Sequence, residues 1–178
     1  RRRRMHFAAA MQRIGKLVWM GGVQIASPDR RFGGYSGLET IPGGKLAAVS
    51  DTGHWLVFAP VRDADGRLVG VEKGEIEPLK DERAHPLSGK SRGDAEAVRR
   101  DPVQGGLLVA FERDHRVLRY RTIGGPGAPI AVPGEIKSQP DNGGIEAMAL
   151  WPDGRMLLIS EQARDADGDH KAWLFAGN

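Results

Sequence analysis

Short apolar runs bounded by turn residues dominate the chain. Runs such as LAAVS, LLVAF and MLLIS, at 46–50, 107–111 and 156–160, lie between stretches rich in Gly and Pro. Apolar runs of this length predict β-strands rather than helices. PGGK and PDGR predict hairpin turns, because Gly adopts positive φ at little cost. Helix is expected to be slight, and the one candidate, roughly residues 4–16, has weak periodicity.

One pattern occurs three times, at 36–58, 93–120 and 143–175. In each copy a small residue precedes a Glu, and a Pro and a Gly-containing turn follow. An apolar strand then ends in Ser-Asp, Glu-Arg or Ser-Glu, and a second strand ends in an aromatic residue. The Glu residues are Glu39, Glu96 and Glu146, so the intervals are 96 − 39 = 57 and 146 − 96 = 50 residues. Intervals of about 50 residues are typical of propeller blades.

The repeats predict an all-β, β-propeller-like fold with about three blades, near 33–75, 90–125 and 140–178. Closed propellers have about four to eight blades, so three copies cannot close a ring. We therefore expect this chain to be about half of a larger propeller of about six blades, the more so because it begins at Arg rather than Met. Residues 1–16 are expected to be a basic, flexible segment, and 17–178 the propeller domain. The similar turns RDADGRL and RDADGDH are expected to be outer-blade hairpins.

Charge and composition exclude several classes of function. The formal net charge of +3 includes four arginines at Arg1–Arg4, so the remainder of the chain carries 3 − 4 = −1. No folded basic face is indicated, and a nucleic-acid partner is not expected. The chain has no cysteine, which excludes disulfides and thiolate chemistry. No run approaches the roughly 20 apolar residues that span a bilayer.

The recurrent glutamates are the leading candidates for chemistry. Glu39, Glu96 and Glu146 each begin the innermost strand of a blade, which faces the channel of a propeller. Carboxylates collected around one axis raise each other's pKa unless a cation neutralises them, and hard oxygen ligands suit Ca²⁺ or Mg²⁺. Asp94 and the pair Asp141–Asn142 precede two of these glutamates and could widen the cluster. The alternative is structural: each Glu could accept backbone N–H groups and fix a loop.

A second set of acids, Asp51, Glu112 and Glu161, follows the second strand of each copy. Because a strand end opens onto a face of the propeller, we expect this set to lie away from the first along the strands. Turn capping and ion pairs with neighbours such as Arg113 are one interpretation, and a site at the funnel mouth is the other.

Other candidate sites have weaker patterns. Asp165, Asp167 and Asp169 alternate as in a calcium loop, but the Gly position and the missing twelfth-position Glu do not fit an EF-hand, so a hairpin turn is favoured. A triad of Ser36, His54 and Asp51 has nothing in the sequence to fix its geometry. The five histidines form no HxH or HExxH pair, which argues against zinc.

Several blocks together resemble a known family. FGGYSGLE with LAAVSDTGHWL, GDAEA with LLVAFERDHRVLRY, and NGGIEAMA with PDGRMLLISE are similar to the bacterial phytase-like family, described as having esterase-like activity of phytase. The resemblance covers roughly 17–178. It implies a β-propeller, a secreted or periplasmic protein of about twice this length, and a small-molecule ester or phosphoester substrate.

The resemblance also implies a hydrolase in which acidic residues hold Ca²⁺ ions. We predict Glu96, Glu146 and Asp51 as catalytic residues, with Arg113 or Arg92 offsetting charge on the leaving group. One alternative is a non-catalytic propeller that binds a ligand or partner, and another is a sugar- or lactone-acting propeller hydrolase. The predicted metal ligands are Glu39, Asp94, Glu96, Asp141 and Glu146.

Overall fold

The computed structural model describes residues 13–176, and this part of the chain is almost entirely antiparallel β-sheet. A short hairpin comes first, with β1 at Arg13–Ile14 and β2 at Leu17–Val18. Residues 13 and 14 of the weak helix candidate are therefore strand, and its first nine residues lie outside the described part. The boundary predicted at residue 16 stays a prediction.

Three larger sheets follow, and in each the strands are adjacent in chain order. The first sheet contains β3 to β6, at Tyr35–Ile41, Lys45–Ser50, His54–Arg62 and Leu68–Pro78. The second contains β7 to β10, at Ala95–Arg100, Leu107–Phe111, Arg116–Tyr120 and Gly127–Pro129. The third contains β11 to β13, at Ile145–Leu150, Arg155–Arg164 and His170–Ala176.

Among residues 13–176, helix is confined to two short pieces between the sheets. These are α1 at Lys90–Gly93 and a 3₁₀ turn at Gly134–Ser138. Within residues 13–176, neither has the length or apolar character that crossing a bilayer would require.

The sheets pack side by side through their first strands, as the blades of a propeller do. β3 contacts β7, and β7 contacts β11. Between the first and second sheets, the buried rings of Trp55 and Tyr120 meet edge to face with centroids 5.3 Å apart. Between the second and third sheets, Ile145, Met156 and Leu158 are buried in a second core. The prediction of an all-β, propeller-like fold is confirmed.

The aromatic residue at the end of each repeat occupies the same place in all three sheets. In each sheet this aromatic residue lies on the third strand. It pairs with a residue of the second strand, five positions before the acid of the second acidic set. The pairs are Phe58 with Leu46, Tyr120 with Leu107, and Phe175 with Met156. Because the period and the register agree, the three sequence copies are structural repeats.

The two RDADG turns fold alike. Asp63 Oδ1 accepts the backbone N–H of Asp65 at 3.0 Å and of Arg67 at 2.9 Å, and Asp165 does the same for the residues two and four positions after it. The first turn joins β5 to β6, an outer hairpin as predicted. The second joins β12 to β13, so its prediction as an outer-blade hairpin is wrong: it connects the second and third strands of its sheet. The carboxylate of Asp165 is engaged by its own turn, which supports the hairpin interpretation over a calcium loop.

A third turn of this kind contains a non-glycine residue at positive φ. Asp81 caps it through Oδ1, and Ala84, at φ 64°, occupies the position of Gly66 and Gly168. We expect Ala84→Gly to raise the free energy of unfolding by about 0.5–1 kcal/mol, because Gly reaches this conformation without a Cβ clash. Urea denaturation measures the change. Ala64→Gly in the first turn is the control and should destabilise, and a loss of stability in Ala84→Gly would contradict the prediction.

Candidate functional site

Each of the three first strands contains a β-bulge near its start. The register skips one residue between Tyr35 and Gly37, and it does so at the matching points of β7 and β11. A bulge re-aims one side chain and is common beside functional sites. Each bulged residue also lies six positions before a Pro. The bulged residues are Ser36, Glu96 and Glu146.

Glu39 is therefore not the counterpart of Glu96 and Glu146, and this prediction is wrong. Glu39 lies three residues beyond the bulge, and the structural intervals are 96 − 36 = 60 and 146 − 96 = 50 residues. Its Oε1 accepts the backbone N–H of Thr40 at 2.7 Å, and its Oε2 accepts that of Arg100 at 3.3 Å. The contact with Arg100 ties β3 to β7, and acceptance of backbone N–H groups is the structural role given above as the alternative for these glutamates.

The two acidic sets meet at the same end of the sheets. The first two strands of each sheet are antiparallel, so the end of the second lies beside the start of the first. The backbone N–H of Glu112 donates to the carbonyl of Asp94 at 2.8 Å, and that of Glu161 donates to Gly144 at 2.9 Å. The expectation that the second set lies away from the first along the strands is wrong.

Five carboxylates from the second and third sheets come together there, and we call them the carboxylate cluster. They form two groups of three, and within each group the potential ligand oxygens all lie within 4.8 Å of one another. Glu112 belongs to both groups and so joins them. The groups are Asp94, Glu96 and Glu112, and Glu112, Glu146 and Glu161.

Glu112 also joins the second sheet to the third. Its buried Oε1 accepts the backbone N–H groups of Gly143 and Gly144, the latter at 3.0 Å. The Ser160 hydroxyl donates to the carbonyl of Gly143 at 3.0 Å and holds the same loop from the other side. The position of Glu146, two residues further on, is therefore set partly by Glu112.

Arg113 supplies positive charge beside the cluster. Its Nε lies 3.0 Å from Asp94 Oδ2, and its Nη2 donates to Asn142 Oδ1 at 2.6 Å. Arg113 has φ 62°, an uncommon conformation for a residue with a Cβ. Asp94 is 1% exposed, and its second oxygen, Oδ1, is buried without a hydrogen-bond partner among residues 13–176.

Two carboxyls of the cluster have raised pKa values. Burial raises the pKa of Glu96 to about 7; the Ser36 hydroxyl lowers it, and the charge of Glu146 raises it. Burial also raises the pKa of Glu146, with further contributions from Glu161 and Glu112. Both shifts mean that ionising this site without a counter-charge is unfavourable.

These shifts predict the pH dependence of stability. The folded-state pKa of Glu96 lies above its unfolded value, so the folded protein binds the proton more tightly, and stability falls as pH rises. We expect the Tm in chelator to decrease between about pH 4.5 and about pH 7, the window between the unfolded and folded pKa values of Glu96. Glu96→Gln, which does not titrate, should flatten the slope in a thermal-melt series. An unchanged slope in that variant would contradict the assignment.

Two other predicted site residues lie outside the two groups. Asp51 Oδ2 pairs with Lys90 Nζ at 3.1 Å, and its Oδ1 is buried without a hydrogen-bond partner among the described residues. Asp141 is exposed.

His54 of the predicted triad and Arg92 likewise contact residues other than those predicted. His54 Nδ1 lies 3.4 Å from Thr52 Oγ1, and among residues 13–176 it makes no hydrogen bond with Ser36. Arg92 pairs with Asp81 at 3.4 Å rather than with the cluster.

Glu112 and Glu161 were predicted as a separate acidic set, and Ser36 only as part of a triad. For Ser36, a signal was present in the six-residue spacing between each bulged residue and the following Pro. Counting back from Pro42 gives Ser36 where the glutamate pattern gave Glu39.

The cluster has the donor set that a hard divalent cation prefers. All its ligand atoms are carboxylate oxygens, which suit Ca²⁺. Oδ1 of Asp94 is buried without a partner among the described residues, and burial together with the neighbouring carboxylates raises the pKa of Glu96 and of Glu146. The residues present therefore fit a bound Ca²⁺.

Comparison with known proteins identifies the family. No curated protein and no solved structure matches the chain. The family model described as "Phytase-like: Esterase-like activity of phytase" matches residues 30–178, which include all three sheets and the carboxylate cluster. The resemblance seen in the repeats is thereby confirmed, and the chain belongs to the phytase-like family.

Proposed function

We propose that this protein hydrolyses an ester bond, carboxylic or phosphate, with the help of Ca²⁺ held by the carboxylate cluster. The observation that carries the proposal is the convergence of five carboxylates from two sheets, with Glu112 shared between two groups of three. Membership of the phytase-like family supports the same reaction class.

Asp94, Glu96, Glu112, Glu146 and Glu161 are the residues that would hold the ion. The chemistry that a bound Ca²⁺ supplies is polarisation of the ester oxygen and a lower pKa for nearby water. Glu112 has one oxygen committed to backbone N–H groups, which fixes its orientation. Asp94 is fixed by Arg113 and keeps a second oxygen without a partner.

Glu96 is the residue best suited to proton transfer. In the ion-free site its pKa is about 7, and a bound Ca²⁺ would lower it, so Glu96 would be ionised at neutral pH. As a positioned carboxylate it would accept a proton from attacking water and return it to the leaving alcohol. Arg113 and Lys90 lie beside the cluster and supply positive charge that would stabilise a developing oxyanion.

Calcium use agrees with an extracytoplasmic location, which we propose as periplasmic or secreted. Extracellular Ca²⁺-binding modules function with dissociation constants of about 10⁻⁴–10⁻³ M, so a site of low affinity suits such a compartment. Glu146 and Glu161 are both exposed.

The alternative is a non-catalytic propeller in which the acids are structural. The contacts of Glu112 with the loop before β11 favour it, because they would be required whether or not the site binds an ion. In that case the Gln variants of Glu96 and Glu146 would alter stability alone.

Turnover of p-nitrophenyl acetate and p-nitrophenyl phosphate distinguishes the two. We expect hydrolysis of at least one ester with Ca²⁺ and its loss in chelator. Glu96→Gln should lower kcat roughly a hundredfold, because proton transfer by a positioned side chain contributes about 10²–10⁴-fold.

The matched control is Glu39→Gln, a glutamate on the first strand of its sheet but outside the cluster, and it should keep kcat within about twofold. Equal rates with Ca²⁺ and with chelator, or an unchanged rate in Glu96→Gln, would leave the non-catalytic alternative.

A further inference from the structure

The site is asymmetric across the three repeats. The second and third sheets supply all five carboxylates of the cluster. In the first sheet, Gly34 stands where the second sheet has Asp94, and Asp51 stands where it has Glu112, because their backbone hydrogen bonds correspond. Asp51 is paired with Lys90 at 3.1 Å. At these equivalent positions the first sheet therefore has Asp51 as its one carboxylate, against five from the other two sheets.

Ser36 holds the position that is acidic in the other two sheets. It is the bulged residue of β3, as Glu96 is of β7 and Glu146 of β11. Ser36 is exposed, whereas the next residue, Gly37, is buried. A Cβ added at Gly37 would lie 2.9 Å from the backbone nitrogen of Val98, so β3 and β7 approach closely there.

The close approach of the two strands brings Ser36 to the cluster. Ser36 precedes Gly37 at this approach, and its hydroxyl lowers the pKa of Glu96, a member of the cluster on the neighbouring strand. A hydroxyl can donate to a carboxylate and can also accept or donate to a substrate oxygen. A carboxylate at the same place would add negative charge and repel an anionic substrate.

We infer that Ser36 is a specificity-determining residue, whose neutral hydroxyl keeps the first-sheet side of the carboxylate cluster open to substrate. The inference rests on the proposed function for the identity of the reaction. The cation is held from the second and third sheets, and the substrate approaches over β3, where Ser36 and Lys90 offer hydrogen-bond donors. Ser36 acts on substrate binding and leaves the ion to the acids.

Two substitutions test this in the full chain. Ser36→Ala removes one hydrogen bond, worth roughly 0.5–1.5 kcal/mol, and should raise KM about three- to tenfold while kcat stays within about twofold. Its affinity for Ca²⁺, measured by isothermal titration calorimetry, should not change.

Ser36→Glu restores the acid found in the other two sheets. We expect it to bind Ca²⁺ about tenfold more tightly, because an added carboxylate ligand strengthens such sites. KM for p-nitrophenyl phosphate should rise more than KM for the neutral p-nitrophenyl acetate, because the new charge repels the anion.

Thr40→Ala is the control, since Thr40 is exposed on the same strand and lies beyond the bulge. The inference is overturned if Ser36→Glu binds Ca²⁺ no more tightly than the wild-type chain, or if both Ser36 variants keep the KM of Thr40→Ala. Calorimetry needs no turnover, so it decides the placement of Ser36 even if the hydrolase proposal fails.

Discussion

Replacing Glu112 by Ala is expected to lower the free energy of unfolding by about 2–4 kcal/mol and to remove the Ca²⁺ site. The side chain accepts two backbone N–H groups, from Gly143 and Gly144, in a buried position. Each donor left without a partner costs about 1–3 kcal/mol, although loss of one negative charge from the cluster offsets part of that. Urea denaturation measures the stability change.

Glu112→Gln is the matched control, because its amide oxygen can still accept both N–H groups. It should stay within about 1 kcal/mol of the wild-type stability, since it keeps the acceptor and relieves repulsion. It should nevertheless lose most of the Ca²⁺ affinity. If the Ala and Gln variants are equally unstable, the hydrogen bonds to the loop do not carry the effect.

Replacing Gly53 by Ala is expected to cost about 3 kcal/mol of unfolding free energy. Gly53 has φ 84°, where a Cβ costs about 1–2 kcal/mol. The added Cβ would also lie 2.1 Å from the carbonyl oxygen of Leu87, which is backbone and cannot rotate away. Moving backbone to relieve such overpacking costs about 1–3 kcal/mol.

A variant at Gly43 separates the conformational cost of the added Cβ from the cost of its contact with Leu87. Gly43 has nearly the same φ, 81°, but a Cβ there meets nothing within 4 Å. Gly43→Ala should therefore cost only about 1–2 kcal/mol, the conformational part. Equal losses in the two variants would show that contact with Leu87 contributes nothing.

The sequence was sufficient to predict the blades because several features recur together in each repeat. The aromatic residues Phe58, Tyr120 and Phe175 recur with the apolar strands, and the register places them in equivalent positions. The strand pattern and the turn composition are local features of the sequence, so they can be recognised without knowing which strands pair.

The site was less predictable because a single-residue bulge decides it. Aligning the repeats on their glutamates selected Glu39, which lies three residues past the bulge. A bulge shifts which side chains share a face, and one sequence does not reveal it.

The joining of the two acidic sets was missed for a different reason. Antiparallel pairing puts the start of β7 beside the end of β8, so Asp94 and Glu112 are neighbours although 18 residues separate them. The contacts of Arg113 with Asp94 and Asn142 are tertiary and join three loops. The sequence suggested Arg113 as an ion-pair partner or as a positive charge for the leaving group, but it did not indicate which residues Arg113 contacts.

The most direct test of the carboxylate cluster as a calcium site is isothermal titration calorimetry of the full chain with Ca²⁺, beside Glu112→Gln. Glu112 belongs to both groups of three, so one amide substitution weakens both while leaving its hydrogen-bond acceptor in place. We predict saturable binding by the wild-type chain and a loss of affinity of at least about tenfold in Glu112→Gln. Absence of binding by the folded wild-type chain, or equal affinities in the two proteins, would contradict the account.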